Sequence, residues 1–180
     1  MILLSLYCTS LIANNKSNIE VRAAGFYHSS ELMREIYGNT GISYQVEAST
    51  QFLEKLMGWA NFSWFSDNGK SIGFGDETKV QIPNFSIGIK FPYQLSPSII
   101  PYVGIGPSLG RISLKNKGEC CDESVSKYAI GGIVKAGSYF QMNKRLYINI
   151  FADYLYQPVH FETTVDLGGV QFGGGVGIKF

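Results

Sequence analysis

Charged residues are scarce in this sequence, and their scarcity excludes several classes of protein. Asp, Glu, Lys and Arg make up 16% of the 180 residues, whereas soluble globular domains average about 25%. A charge-rich soluble helical bundle is therefore disfavoured, because the chain has little with which to cover a water-exposed surface. The formal net charge is +1, so the composition offers no electrostatic attraction for nucleic acid, and we expect no nucleic-acid partner.

Proline and long apolar runs are scarce as well. The 6 prolines beside 21 glycines exclude collagen and argue against a disordered low-complexity chain. The N-terminal apolar run, MILLSLYCTSLIA at residues 1–13, is shorter than the roughly 18 residues of a membrane-spanning helix. It predicts the apolar part of a secretory signal peptide, cut after Ala13, with an apolar N-terminal strand or a misassigned start codon as the alternatives. We therefore divide the chain into a signal-peptide remnant, 1–13, and one domain, 14–180.

Alternation of apolar and polar residues is the main pattern of this domain. The segment Ile42 to Phe52 shows it over eleven residues without a phase error. One face of it carries Ile42, Tyr44, Val46, Ala48, Thr50 and Phe52, and the other carries Ser43, Gln45, Glu47, Ser49 and Gln51. Because successive side chains of a strand point to opposite faces, the segment is predicted to be a strand long enough to cross a bilayer at a tilt.

The same pattern recurs along the chain, and eight strands are predicted in all. They are Ile19–His28, Ile42–Phe52, Trp59–Phe65, Asn84–Phe91, Tyr102–Gly110, Tyr128–Phe140, Ile148–Tyr156 and Val170–Phe180. Upstream of the fourth strand, Val80 and Ile82 lie on the other parity, which predicts a bulge or a strand start at Pro83. Short connections alternate with long ones, and the first long loop contains a segment of one or two helical turns, capped by Ser29 or Ser30.

The composition of the two faces decides what the strands enclose. The polar face is mostly Ser, Gly, Asn, Gln and Ala, which suit the cramped interior of a small barrel. The other face is large and apolar, as lipid requires, and short turns opposite long loops are typical of membrane barrels. The predicted fold class is therefore all-β, an eight-stranded antiparallel up-and-down transmembrane β-barrel, with a soluble lipocalin-type barrel as the alternative. An aromatic girdle is predicted from Trp59, Trp64, Tyr102, Tyr128, Tyr147, Tyr154 and Tyr156.

The last strand resembles the closing strand of Gram-negative outer-membrane barrels. Phe172, Gly174, Val176, Ile178 and Phe180 fill its alternate positions. The domain is similar to the eight-stranded class of the OmpA membrane domain, OmpX and OmpW, and short phrases such as Phe151-Ala152-Asp153-Tyr154 resemble uncharacterised barrel proteins of chlamydia-like bacteria. This resemblance implies a bacterial outer-membrane location among outer-membrane lipid. It also implies that the barrel-assembly machinery recognises an assembly signal formed by Phe172, Val176, Ile178 and Phe180.

Charges on the inward face form the main candidate site. The parity places Arg22, Glu47, Lys135 and Asp153 at middle height in the lumen, and Lys90 and Lys179 near the periplasmic rim. Because isolated ions there would be costly, the first four are predicted to pair in a charge network. The network could be a static plug, or its partners could exchange to open a narrow ion path. A pore of porin width is excluded by the strand count.

Catalytic and cysteine chemistry have weaker support. A nucleophile, base and acid could be drawn from His28, Ser30 and Glu162 or Asp166, but nothing in the sequence fixes their geometry, so no enzyme activity is predicted. Cys120 and Cys121 are adjacent, so a disulfide to a partner chain and reduced thiols both remain open. Two ligands fall short of a metal site, and neither a metal nor another cofactor is expected.

The predicted role is structural, with surface presentation through the long extracellular loops. The barrel would be a rigid base, and the loops would contact an unidentified extracellular partner in adhesion or another interaction. Two alternatives stay open: a narrow gated channel for ions or small apolar solutes, and a lipid-modifying outer-membrane enzyme.

Overall fold

A computed structural model describes residues 17–53, 55–70, 77–117, 122–160 and 164–180. The predicted signal peptide, 1–13, lies outside the described residues, as do Cys120, Cys121 and Glu162.

Eight long strands close into one antiparallel barrel, which confirms the predicted fold class. The strands, in chain order, are β1 (Ser17–His28), β2 (Thr40–Leu53), β3 (Leu56–Lys70), β4 (Glu77–Pro92), β5 (Ile99–Lys117), β6 (Asp122–Gln141), β7 (Leu146–Tyr156) and β10 (Gly169–Lys179). Each pairs with its neighbours in the chain, and β10 pairs with β1 to complete the circle. Closure leaves no strand edge whose backbone groups hydrocarbon could not satisfy.

Two small elements lie in the long connections. Helix α1 (Glu31–Tyr37) follows β1, and Ser30, one of the two predicted caps, lies at its N-cap position but makes no side-chain capping hydrogen bond within the described residues. A two-stranded sheet, β8 (Pro158–His160) with β9 (Thr164–Asp166), separates β7 from β10. Over the described residues, no helix is both long enough and apolar enough to cross a membrane.

Below the long-loop mouth, the apolar face of the barrel strands points outward, as the composition of the two faces predicted. Tyr44 and Val46 on β2 are 62% and 49% exposed, whereas Gln45 and Glu47 between them are buried. The same holds for Ile150, which is 48% exposed, beside buried Asp153 on β7. An exposed apolar surface of this extent around a closed barrel suits acyl chains rather than water, so the lipocalin-type alternative is wrong.

The predicted aromatic girdle is wrong at three of its seven positions. Trp59, Tyr102 and Tyr147 are buried in the lumen, because each shares its strand parity with inward polar residues rather than with the apolar face. The other four predicted residues are exposed on the outer surface: Trp64, Tyr128, Tyr154 and Tyr156.

The predicted irregularity at Pro83 is also wrong. Strand β4 runs through Pro83 in one register with β3, from Met57 paired with Lys90 to Lys70 paired with Glu77. Val80 and Ile82 therefore face inward together with Asn84. In the sequence the parity looks different on the two sides of Pro83, because the inward face of β4 changes from polar to apolar residues toward the long-loop end.

Strand lengths differ around the barrel, which makes the long-loop rim uneven. Strands β5 and β6 have 19 and 20 residues, whereas β1 and β7 have 12 and 11. The register of β5 with β6 is continuous from Ile99 paired with Phe140 to Lys117 paired with Asp122. At a rise of about 3.4 Å per residue, the β5–β6 hairpin stands well above the low side of the rim.

The opposite rim contains the tight turns, the start of β1 and the end of β10. In the β6–β7 turn, the Asn143 side-chain oxygen accepts hydrogen bonds from the backbone N–H groups of Arg145 (2.9 Å) and Leu146 (2.7 Å). This side-chain acceptor replaces a strand partner and fixes the turn. In outer-membrane barrels this rim faces the periplasm.

Candidate functional site

The lumen brings together the four charged residues that the sequence analysis singled out. Arg22 on β1 donates to the Glu47 carboxylate on β2 and to Asp153 on β7, at 2.8 Å in both cases. Lys135 on β6 contacts the same two oxygens, Glu47 Oε2 at 2.9 Å and Asp153 Oδ2 at 3.1 Å. All four side chains are buried, so two cations and two carboxylates form a closed ring across the barrel.

Two more charged residues extend this ring. Lys90, predicted on the inward face near the periplasmic rim, is buried and bonds to Glu47 and to the Tyr139 hydroxyl oxygen, at 3.1 Å for the latter. The long lysine stem carries the ammonium group from the backbone position to the carboxylate of Glu47. Glu20, which the sequence analysis did not single out, lies 3.5 Å from Arg22 Nε. We call these six residues, Glu20, Arg22, Glu47, Lys90, Lys135 and Asp153, the charged layer.

The charged layer is balanced, with three cations and three carboxylates. Such a buried group is stable only as a set, since each ion is desolvated and depends on its partners. Glu47 is its centre, because Arg22, Lys90 and Lys135 all contact its carboxylate.

Aromatic rings enclose the cations of the charged layer. The Arg22 guanidinium lies 3.4 Å from the centroid of the Phe151 ring, and Lys135 Nζ lies 4.7 Å from the centroid of Trp59. Lys90 Nζ lies 4.5 Å from the centroid of Tyr102. Cation–π contacts of this kind gain strength when they are desolvated, so the rings partly replace the water that the cations have lost.

Three tyrosines fill the lumen on the periplasmic side of the charged layer. Tyr139 stacks on Tyr102 with ring centroids 4.5 Å apart, and meets Tyr147 edge-on at 5.1 Å. The Tyr147 hydroxyl donates to Glu20 at 3.2 Å, and Asn149 donates to Glu20 at 2.7 Å. The tyrosines therefore pack as a hydrophobic cluster, while the hydroxyl groups of Tyr139 and Tyr147 bond to the charged layer and that of Tyr102 bonds to Asn149.

Inward glycines create the space that these side chains occupy. A methyl group on Gly177 would lie 2.2 Å from Cζ of Tyr147, and one on Gly137 would lie 2.6 Å from the Tyr102 hydroxyl oxygen. Both distances are below van der Waals contact, so the backbone must stay bare opposite each ring.

A neutral polar layer follows on the long-loop side. Gln157 Nε2 donates to Asn84 Oδ1 at 2.8 Å and to Ser108 Oγ at 2.6 Å. Gln45 bonds to Gln171 and accepts from Asn61. These small networks tie five different strands together through the lumen.

The long-loop mouth is filled by apolar side chains. We call this group the mouth cluster; it consists of Phe26, Met33, Tyr37, Phe65, Val80, Ile82, Ile112, Ala129, Val159, Val165 and Leu167. Helix α1 contributes Met33 and Tyr37, and the β8–β9 sheet contributes Val159 and Val165. The two small elements therefore lie over the barrel end and complete a hydrophobic core there. Among the described residues, the lumen is thus occupied from the charged layer to the mouth.

The catalytic candidates do not assemble in the described part of the chain. His28 is buried in the mouth, 5.0 Å from the Phe65 ring centroid, and neither of its ring nitrogens has a hydrogen-bond partner among the described residues. Asp166 instead accepts from the backbone N–H groups of Gln157 and Gly168, each at 2.8 Å. No pair of His28, Ser30 and Asp166 is hydrogen-bonded as a nucleophile and its base would be.

The predicted assembly-signal residues lie on the outer face of β10. Phe172, Val176 and Ile178 are exposed on the strand that closes the barrel between β1 and β7, and Phe180, also exposed, follows directly after this strand. Their recognition by the barrel-assembly machinery remains a prediction.

Glu20 and the mouth cluster are the site features that sequence reasoning missed. Parity alone could have found Glu20, because it lies on the inward face of its predicted strand. The mouth cluster could have been predicted only by extending the predicted strands toward the long-loop rim with the same parity.

Comparison with solved structures identifies the class of this barrel. No family model and no curated protein matches the sequence. Neisserial surface protein A is 17% identical, with 92% of this chain and 96% of that chain covered and a TM-score of 0.64. OprG of Pseudomonas aeruginosa is 11% identical, with 92% and 96% covered and a TM-score of 0.68. Ail of Yersinia pestis, solved with the heparin analogue sucrose octasulfate, is 13% identical, with 92% and 99% covered and a TM-score of 0.62.

These structures share the fold of this chain over nearly its whole length. The chain has the eight-stranded β-barrel fold of these outer-membrane proteins, which confirms the fold class predicted from the alternation and the closing strand.

Proposed function

We propose that the protein is an integral barrel of a bacterial outer membrane that presents its long-loop rim to a partner outside the cell. The observation that carries this proposal is the mouth cluster, which fills the end of the barrel that faces outward in this class. A filled mouth makes the rim a surface rather than an opening. The proposed partner is an unidentified extracellular protein or glycan.

The uneven rim supports this role. The β5–β6 hairpin stands highest, with Arg111 and Tyr128 on its outer face and the guanidinium 5.7 Å from the ring centroid. Tyr128 is 70% exposed and Ile130 is 75% exposed. Exposed aromatic and arginine side chains are enriched in the centres of protein interfaces, and a hairpin on a rigid barrel holds them in fixed positions.

Shortening this hairpin tests the proposal. In the test variant, Asn-Gly replaces residues 113–126, so that Ile112 and Lys127 flank a two-residue turn, and Arg111→Ala and Tyr128→Ala remove the exposed pair. We expect cells displaying the wild-type barrel to adhere to immobilised extracellular-matrix proteins or sulfated glycans, and the variant to lose that adhesion. A matched control shortens the β3–β4 hairpin on the same rim. If cells with and without the barrel adhere equally to both coatings, presentation to such a partner is wrong.

A narrow gated channel is the second candidate function, because the charged layer lies in the lumen. Conductance measurements distinguish this channel from surface presentation. We expect no discrete conductance steps from the refolded barrel in planar bilayers, because apolar side chains block the mouth. A variant without the β8–β9 sheet and helix α1 serves as the opened control. Discrete steps from the wild-type barrel that change size in Asp153→Asn would overturn the presentation proposal in favour of a gated ion path.

A further inference from the structure

His28 is a titratable side chain in the long-loop mouth that takes no part in the charged layer. It is the last residue of β1, and its side chain is fully buried. The centroid of its ring lies 4.7 Å from that of Phe26 and 5.0 Å from that of Phe65, and both rings belong to the mouth cluster. Neither ring nitrogen has a hydrogen-bond partner among the described residues. Because a buried polar group without a partner is costly, this placement calls for a physical reason.

The charged groups around His28 do not compensate a positive charge on its ring. Asp67 on β3 attracts such a charge, but the cost of burial is larger than this attraction. Asp166, beside the β8–β9 sheet, is bonded to two backbone N–H groups of its own connection. On α1, Arg34 donates to the hydroxyl of Tyr27 at 3.2 Å, and the two glutamates of the helix are exposed. Strand β10 places a glycine opposite His28. Among the described residues, the closed mouth therefore suits a neutral imidazole.

His28 also lies where the elements that cover the mouth begin. The next residue, Ser29, donates its backbone N–H to the carbonyl oxygen of Gly168 at 3.0 Å, and Ser30 leads into α1. Helix α1 and the β8–β9 sheet are held over the barrel end by the apolar contacts of the mouth cluster. Such contacts do not stabilise a charge, so a protonated ring here would weaken the packing of both elements.

The direction of the pH dependence follows from these surroundings. A histidine in water changes charge near pH 6.5. The opened mouth would give the ring access to water, whereas the closed mouth excludes water from it. Proton uptake therefore favours the opened mouth, and this contribution is absent well above pH ~6.5 and grows as the pH falls below it.

We propose that His28 is an acid-sensitive switch of the long-loop mouth: protonation of its imidazole loosens α1 and the β8–β9 sheet, and neutral pH keeps them packed. The switch acts on the rim of the proposed function and rests on that function for its biological role, whereas its physical test needs no partner.

Amide hydrogen exchange measures the opening of the mouth. The reporting N–H groups are that of Ser29, bonded to Gly168, and that of Leu167, which donates to the carbonyl oxygen of Gln157 at 2.9 Å. The N–H of Tyr93, which is bonded on the periplasmic rim, is the internal control. Exchange of the refolded protein in nanodiscs of zwitterionic lipid is measured at about pH 7 and about pH 5, with correction for intrinsic rates. We expect both mouth protection factors to fall about 10-fold or more at the lower pH, with about 25-fold as the limit for one histidine, and that of Tyr93 to change by less than about two-fold.

Three variants separate His28 from other effects of acid. His28→Phe keeps an aromatic ring beside Phe26 and Phe65 but binds no proton, so both mouth protection factors should differ by less than about two-fold between the two pH values. His28→Asn is smaller and also neutral, so it should show the same flat response even if the barrel does not accommodate the larger ring. The chain contains one other histidine, and His160→Gln, the matched control, should keep the wild-type fall.

Three results would overturn the proposal. The first is a fall of less than about two-fold in the wild-type protein, and the second is a fall of wild-type size in His28→Phe or His28→Asn. The third is a ¹³C-labelled His28 ring that titrates near pH ~6.5 while both mouth protection factors stay constant, because the closed mouth would then accommodate the charge. Since no partner is present in these measurements, failure of the adhesion test would leave their outcome unchanged.

Discussion

The charged layer and the mouth cluster fill the same lumen by opposite means. The charged layer uses three cations and three carboxylates that contact one another, whereas the mouth cluster is almost wholly apolar and buries a helix and a small sheet against the strand ends. The first depends on balance, since the loss of one ion leaves its partners desolvated and unpaired. The second depends on volume, since the loss of one side chain leaves a void.

This contrast suggests a division of labour along the barrel axis. The charged layer joins strands β1, β2, β4, β6 and β7 through side chains, so it fixes their positions across the lumen. The mouth cluster instead holds the connections, because α1, β8 and β9 all contribute to it. Substitutions in the two regions should therefore differ both in size and in what rescues them.

The largest effect is expected at Glu47. In Glu47→Gln, three buried cations would face only Glu20 and Asp153, and we expect the free energy of unfolding to fall by about 3–5 kcal/mol, as when one partner of a buried pair is removed. Urea unfolding in lipid vesicles, followed by tryptophan fluorescence, measures the change. The control is Glu31→Gln, whose side chain is 94% exposed and lies 3.8 Å from Arg34, and which should leave the unfolding midpoint unchanged.

A second substitution sharpens this prediction. If balance rather than one hydrogen bond is what matters, adding Lys90→Met to Glu47→Gln should recover part of the lost stability, because it removes one of the stranded cations. Additive destabilisation by the two substitutions would contradict the idea of a balanced charged layer.

A smaller effect is expected in the mouth cluster. Leu167 is fully buried there, and Leu167→Ala should lower the free energy of unfolding by about 2–4 kcal/mol through lost contacts and a residual cavity. Leu95→Ala, in the exposed β4–β5 turn, is the control and should change the unfolding midpoint little. Proteolysis of the long-loop rim on intact cells should also increase in Leu167→Ala alone. Unchanged proteolysis would show that the cluster does not hold α1 and the β8–β9 sheet in place.

The glycines below the charged layer should show an effect of about 1–3 kcal/mol. In Gly177→Ala the new methyl would meet the Tyr147 ring 2.2 Å away, so we expect destabilisation by overpacking. Gly174→Ala is the matched control on the same strand, since its methyl would have an ordinary contact of 3.5 Å to Asn149 O. A double-mutant cycle with Tyr147→Leu should show favourable coupling, because the smaller side chain makes room for the methyl. Equal effects of the two glycine substitutions would contradict a steric role.

The sequence predicted the barrel well because alternation reports directly on which side of a strand meets lipid. The predicted strands Ile42–Phe52 and Ile148–Tyr156 lie within β2 and β7, with the predicted faces pointing outward and inward. Arg22, Glu47, Lys135 and Asp153 could be singled out for the same reason, since a charge on the inward parity of a membrane barrel needs a partner.

The remaining features depend on reach and height, which parity does not encode. Lys90 enters the charged layer through its long side chain, although its backbone lies nearer the rim. The inward face of β4 changes from Ser86 and Asn84 to Ile82 and Val80 toward the long-loop rim, and in the sequence this change looks the same as an irregularity at Pro83. Aromatic residues were assigned to a girdle by type, although the parity of Trp59, Tyr102 and Tyr147 pointed inward.

The smallest effect is expected where the charged layer meets the tyrosines. Tyr139→Phe removes the hydroxyl that accepts a hydrogen bond from Lys90 but keeps the ring stacked on Tyr102. Because Glu47 still pairs with Lys90, the free energy of unfolding should fall by only about 0.5–1.5 kcal/mol. Tyr93→Phe, on an exposed turn residue, is the matched control for loss of a phenol. A loss in Tyr139→Phe as large as in Glu47→Gln would mean that the tyrosines and the charged layer form one unit, and the comparison between a balanced layer and its packed surroundings would no longer hold.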